Sequence, residues 1–191
     1  MQNVFRRLSL PLFLLVLLSV FSLQANAATG HNRMEKIAGS MLKHIGQATY
    51  VKEGKGPHII YIFFDPNCPY CHRLYEHTRK WIKQGKVQLR WIPVGILTTT
   101  SPGKAAAILG AKDPLKAFYY NENHYKNGGG IEEDLPSAST DKKLKANAAL
   151  LARSRVGAVP AMLFRTKDNK PYLIEGAPPT DKLPIILANV K

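Results

Sequence analysis

The chain contains two cysteines, Cys68 and Cys71, in the run Cys68-Pro69-Tyr70-Cys71. Thiols at this separation can close a small disulfide ring and reopen it. If the pair opens a helix, the first thiol lies where unpaired backbone N–H groups and the helix dipole favour negative charge. Thiolate is the reacting form of cysteine, and such positions lower its pKa to roughly 3.5–7.5. The second thiol lies one turn inside and is more shielded. The pattern therefore assigns attack on an incoming disulfide to Cys68 and resolution of the mixed disulfide to Cys71. Two other uses compete. A structural disulfide across two residues closes too small a loop to stabilise much by chain entropy. A metal site would need two further ligands; His72 and His77 are at hand, but both fit a solvated helix face. Two cysteines exclude a disulfide-dense scaffold and a four-cysteine zinc centre. Redox chemistry is the preferred reading, with no metal and no separate cofactor, since the electrons travel through the thiols.

The N-terminus indicates the compartment. Arg6 and Arg7 precede the charge-free, largely apolar run Leu10 to Phe21, and Ala25-Asn26-Ala27 supplies small residues at the −3 and −1 positions of a signal-peptidase site. This predicts a secretory signal over 1–27, cleaved after Ala27. The alternative, an uncleaved anchor, needs about 20 apolar residues, and the run is short for that. Export leads to an oxidising compartment, where a lone close cysteine pair is a redox candidate first. The 27 Lys and Arg against 13 Asp and Glu give a formal charge of +14, which reads first as solvated surface, with acidic clients or a membrane surface as the alternative. The lysines are scattered without a compact aromatic-basic motif, so nucleic acid is not an expected partner. A length of 191 residues with 45% apolar content suits one globular domain with a small appendage.

Several elements must position the pair. Met34, Ile37, Ala38, Met41, Leu42 and Ile45 mark one apolar face of a helix ended by Gly46. Glu53 to Pro57 reads as a turn. Ile59 to Phe64 is a continuous apolar run, predicting a strand buried on both faces. Pro69 suits the first turn of a helix that continues through Leu74, Tyr75, Thr78, Trp81 and Ile82 to a stop at Gly85. Val87 to about Val94 is a second strand, so strand, helix and strand form a parallel βαβ unit. Ser101-Pro102 opens an alanine-rich helix, and Asp113-Pro114 caps another that carries Leu115, Phe118, Tyr119 and Tyr125 on one side until Gly128 to Gly130. The aromatic set Phe118, Tyr119, Tyr120 and Tyr125 reads as core of this helical region, with peptide binding as the alternative. Glu132 to Ser139 is loop. Thr140 or Asp141 opens a third helix, which stops near Gly157. Ala161 to Arg165 and Tyr172 to Glu175 form a hairpin across Lys167-Asp168-Asn169-Lys170, and a last helix carries Ile186, Leu187 and Val190. No internal repeat is visible.

A buried strand before the cysteine pair, a helix carrying it, and Val159-Pro160 ahead of a later strand resemble a thioredoxin fold: α/β, in the order βαβ then ββα, with a helical insertion over about 101–156. The resemblance implies a cis bond at Pro160 set against the cysteines. Tyr61-Ile62-Phe63-Phe64-Asp65-Pro66-Asn67-Cys68-Pro69-Tyr70-Cys71 is similar to the active-site segment of the DsbG/DsbC-type periplasmic disulfide isomerases, whose Phe-x-Asp-Pro-x-Cys-x-Tyr-Cys pattern matches at Phe63, Asp65, Pro66, Cys68, Tyr70 and Cys71. Pro69 leans toward the DsbG branch. Gly85-Lys86-Val87-Gln88-Leu89-Arg90, Pro102 with Ala105-Ala106-Ala107-Ile108-Leu109, and Lys112-Asp113-Pro114 resemble DsbG as well. The similarity runs from about Met34 to the C-terminus.

That resemblance implies a thiol–disulfide oxidoreductase acting on exported client proteins with cysteines, as disulfide reductase, isomerase or sulfenic-acid reductase, recharged by a membrane thiol reductase. Tyr70 and the Val159-Pro160 loop would present the client backbone. Asp65 and Glu76 are candidate proton acceptors near the buried thiol, with capping or solvated roles as alternatives. Family members carry an N-terminal dimerisation domain and linker helix. Here 28–57 offers a helix and linker before the thioredoxin-like region 58–191, so the expectation is a monomer whose N-terminal helix packs on the domain through Ile37, Met41 and Ile45. The competing functions are a DsbA-like oxidase and a non-enzymatic exported chaperone or assembly module.

Overall fold

A computed structural model describes residues 32–126, 130–155 and 157–191. The leader predicted over 1–27 lies outside these, as do Gly128 and Gly129. Among the described residues no helix is long and apolar enough to cross a membrane.

Residues 32–43 form helix α1, followed by a 3-10 turn at Ile45–Gln47. Strand β1 (Val51–Glu53) and strand β2 (His58–Phe64) come next, then helix α2 (Pro69–Lys83) and strand β3 (Val87–Pro93). Three helices intervene: α3 (Ser101–Gly110), α4 (Pro114–Asn123) and α5 (Ala138–Ala152). Strands β4 (Ala161–Arg165) and β5 (Pro171–Glu175) and helix α6 (Leu183–Ala188) complete the chain. The sheet order is β1-β3-β2-β4-β5. Only β2 and β3 run parallel, His58 opposite Val87 through Phe64 opposite Pro93; β4 pairs antiparallel with β2, and β5 with β4. This is the thioredoxin arrangement expected of the sequence, with α3 to α5 inserted between β3 and β4.

Strand alternation assigns side chains to two cores. Ile60, Ile62 and Phe64 of β2, Leu89 and Trp91 of β3, and Met162 and Phe164 of β4 face α2 and α6, where Cys71, Leu74, Leu183 and Leu187 are buried. Phe63, Ile92, Ala161 and Leu163 face the other way, onto Ala38 and Met41 of α1 and Leu150 and Leu151 of α5. The stripe of α1 is thus spent on the domain itself, through Met41 with Ile37 and Ile45 beside it.

Three details depart from the sequence reading. Glu53 does not begin a turn but ends β1, which pairs antiparallel with β3 (Val51 opposite Trp91), so the sheet starts inside the stretch read as linker. Its neighbours Gly54 and Gly56 run close over the start of β3, where a Cβ would meet Val87 O at 2.5 Å and Val87 N at 2.2 Å respectively. The third inserted helix is capped by Ser137, whose side chain accepts from Thr140 N at 3.2 Å, rather than by Thr140 or Asp141. Helix α4 ends at Asn123, so Tyr125 lies beyond it.

Candidate active site

Cys68 is the N-cap of α2. Its extended backbone (φ −84, ψ 113) places Sγ where a capping oxygen usually sits, 3.1 Å from the backbone N of Cys71, and Pro69 occupies the first turn. Both thiols are free and buried, Cys68 2% and Cys71 1% exposed. Their acidities diverge. The Cys71 side chain, hydrogen-bonded to Cys68, lowers the pKa of Cys68 most, with help from the backbone N–H groups of Cys71 and Tyr70; burial and the Asp65 charge oppose this. For Cys71, burial above all, then its bond to Cys68 and that neighbour's charge, push the thiol well above its ordinary value. A thiolate is therefore favoured at Cys68 and a thiol at Cys71.

The Val159-Pro160 bond is cis, and Val159 O lies 3.7 Å from Cys68 Sγ. The loop sits there because β4 pairs with β2, the strand that leads into the cysteines. Tyr70 projects into solvent at 56% exposure, with the Arg73 guanidinium 5.2 Å from its ring.

Asp65 is buried and fully engaged. Its Oδ1 accepts from Asn67 N at 2.9 Å and Ser101 Oγ at 2.7 Å, and its Oδ2 from Ile96 N and Leu97 N at 2.8 and 3.0 Å. With four donors converging on it, the carboxylate ties the cysteine loop to the loop between β3 and α3. Asn67 extends the tie, donating to Thr98, Thr100 and Ser101 and accepting from Lys104 Nζ at 3.0 Å. Asp65 thus stands as an anchor of the loop. Glu76 points to solvent, 61% exposed, with His72 Nε2 at 3.6 Å.

Two features of the site had no counterpart in the sequence reading. The tie from Asp65 leaves Ile96 and Leu97 exposed beside the cysteine loop. The end of α4 also clasps the site. Asn121 Nδ2 donates to Pro66 O at 3.2 Å, Asn123 Oδ1 accepts from Tyr75 OH at 2.9 Å, and Tyr125 OH donates to Asn67 O at 3.1 Å. Glu122, 3% exposed, meets His72 Nδ1 at 2.9 Å. His72 is thus not on a solvated face: its ring lies flat on Tyr125, centroids 4.3 Å apart. Phe118 is core, between Phe64, Tyr75 and Trp91, whereas Tyr120 is 52% exposed. No cluster of three or more metal-binding side chains occurs among the described residues.

A cysteine pair of split acidity, facing a cis-proline loop, has the chemistry of thiol–disulfide exchange, and known proteins share both its sequence and its fold. The thiol:disulfide interchange protein DsbG of Pseudomonas aeruginosa is 35% identical over 153 residues, covering 79% of this chain and 60% of that protein. DsbG of Escherichia coli K12 is 33% identical over 154 residues, covering 78% and 61%. The chain thus spans about 60% of the length of these curated relatives. Two solved structures share the fold. The catalytic domain of Proteus mirabilis ScsC has a TM-score of 0.64 at 19% identity, covering 81% of this chain and 97% of that one. The thiol-disulfide exchange protein alpha-DsbA2 of Wolbachia pipientis has a TM-score of 0.63 at 16% identity, covering 82% and 95%. The model of the thioredoxin-like domain matches residues 46–191, from the turn before β1 to the last residue. By that match the chain belongs to the thioredoxin-like domain family.

Proposed function

We propose that this protein is a periplasmic thiol–disulfide oxidoreductase of the DsbG type, exported by a leader ending at Ala27 and acting on exported proteins with cysteines. The observation that carries the reading is the split acidity of Cys68 and Cys71 at the start of α2, with the Val159-Pro160 loop against Cys68. Cys68 thiolate attacks a client disulfide, or a client sulfenic acid, and forms a mixed disulfide; Cys71 then attacks Cys68 Sγ and releases the client thiol. The electrons leave through the cysteine pair, and a membrane thiol reductase restores the dithiol. Tyr70, Ile96 and Leu97 offer exposed apolar surface beside the thiols, and the backbone at Val159 lies next to Cys68 to present the client. The protein works as a monomer in this reading, because α1 buries its stripe on its own domain. Functional division follows the leader at 1–27, a helical and linker segment at 28–57 and the catalytic region at 58–191, with β1 of the linker built into the sheet.

Insulin reduction by dithiothreitol tests it. Catalysis lost in Cys68→Ser is the expected result; undiminished catalysis in that variant would overturn the reading. One observation favours the opposite direction of electron flow, that of a DsbA-like oxidase. Lowering the pKa of Cys68 stabilises the reduced pair and makes the disulfide a better oxidant. Equilibration with glutathione buffers separates the two, since a tenfold change in the equilibrium constant is about 30 mV for a two-electron couple.

A further inference from the structure

Glu122 is a buried carboxylate that the exchange steps above leave unused. It closes the C-terminal turn of α4, its Oε1 accepting from Asn121 Nδ2 at 3.1 Å and its Oε2 facing His72 Nδ1 at 2.9 Å. His72 follows Cys71 directly in α2. Its ring is held flat by Tyr125, which is held in turn by its bond to Asn67 O, and its Nε2 faces Glu76. The titratable groups around the pair are Cys71, Cys68, Tyr75 and Glu76 from the cysteine loop and α2, Asp65 from the end of β2, and Tyr125 after α4. Among them the group that can become a cation is His72. A carboxylate this buried is costly unless paired, and it favours a proton on the imidazole. The Glu122 charge also bears on Cys71, where it opposes thiolate formation.

We propose that His72 and Glu122 are positioning residues that control the resolving step: a protonated His72 cancels the field of Glu122 at Cys71, and a neutral His72 leaves that negative charge facing the thiol. The proposal rests on the roles given above to Cys68 and Cys71. In the step concerned, Cys71 gives its proton to a solvent base and its sulfur bonds to Cys68 Sγ. The bond between Cys68 and the client sulfur breaks, and the client sulfur leaves with the electron pair and takes up a proton. His72 and Glu122 exchange no electrons and touch no client atom.

The opposite charges of the two residues give opposite expectations. Reaction of the reduced full-length chain with 5,5′-dithiobis(2-nitrobenzoate) releases one thionitrobenzoate as Cys68 is capped and a second as Cys71 resolves. The second phase, followed by stopped flow from about pH 5 to 9, reports the step directly. In the parent its rate should rise with pH and then flatten as His72 loses its proton. Glu122→Gln, which keeps size and one acceptor oxygen but removes the charge, should remove the flattening and accelerate the phase about 3- to 10-fold; His72→Gln should slow it by a similar factor at low pH. Changes of the same sign in both variants, or a pH profile indifferent to both, would overturn the proposal while leaving thiol exchange intact. A parent with no second phase would overturn the exchange reading and this one together. Direct NMR titration of His72 is a second check that does not depend on activity: an imidazole titrating at or below its ordinary value of 6.5 overturns the proposal, and a raised one that falls in Glu122→Gln supports it.

Discussion

Cys68 and Cys71 differ by one turn of α2, and that turn separates their acidities. The strongest influence lowering Cys68 is the Cys71 side chain that donates to it. Cys71→Ala should therefore raise the Cys68 pKa, read from the pH dependence of thiolate ultraviolet absorbance; an unmoved titration would mean that the backbone N–H groups suffice. His72 carries a second expectation. Its bond to Glu122 raises its folded-state pKa above the ordinary 6.5. The stability this contributes is fully present below about pH 6.5 and is lost as pH rises through the higher folded value. Urea denaturation across this range should show the loss in the parent and not in Glu122→Gln. The placement of the two cysteines at the start of α2 could be read from sequence because it follows from local spacing and Pro69. Glu122 could not, because it lies 50 residues from His72 and only the docking of α4 on α2 joins them. Asp65 was open to two readings, proton acceptor or cap, because three of its donors are backbone N–H groups, at Asn67, Ile96 and Leu97, which leave no mark in the side-chain pattern.

The parallel unit of β2, α2 and β3 was legible because its apolar runs are long and its helix is bounded by Pro69 and Gly85. Strand β1 was not, because three residues carry too little periodicity and its inward side chains are Val51 and a charged Glu53. The fold reveals why a carboxylate points inward there. Glu53 forms a two-pronged bond to Arg79 of α2 and accepts from Trp91 Nε1 of β3 at 2.8 Å, joining edge strand, helix and central sheet. Removing one partner of such a pair leaves an uncompensated buried charge. Arg79→Ala should cost about 3–5 kcal/mol by urea denaturation, and a cost below about 1 kcal/mol would show that water reaches Glu53. The register of α1 was read from its apolar stripe, and Met41 proves fully buried. Met41→Ala should cost about 2–5 kcal/mol, from lost transfer energy and the cavity left behind.

For the molecule as a whole, the two cores divide labour. The core facing α2 and α6 supports the cysteine pair, and the one facing α1 and α5 absorbs the N-terminal helix. A helix committed in this way has no apolar stripe left for a second copy. Light scattering on residues 28–191 at micromolar concentration should give the monomer mass; a stable dimer would show that another surface associates. The fold class was legible because the cysteine motif, the buried strand and Val159-Pro160 occur in the required order. The clasp of α4 on the site was not, since Tyr125 continues a helical pattern in sequence while the chain turns away after Asn123. In the proposed cycle Cys68 attacks and Cys71 resolves. Mass-spectrometric mapping of mixed disulfides formed by Cys71→Ser with a reducible client tests it most directly. A stable adduct should form through Cys68, and none through Cys71 in the matched Cys68→Ser variant. Stable adducts through Cys71, with Cys68 unreactive, would contradict it.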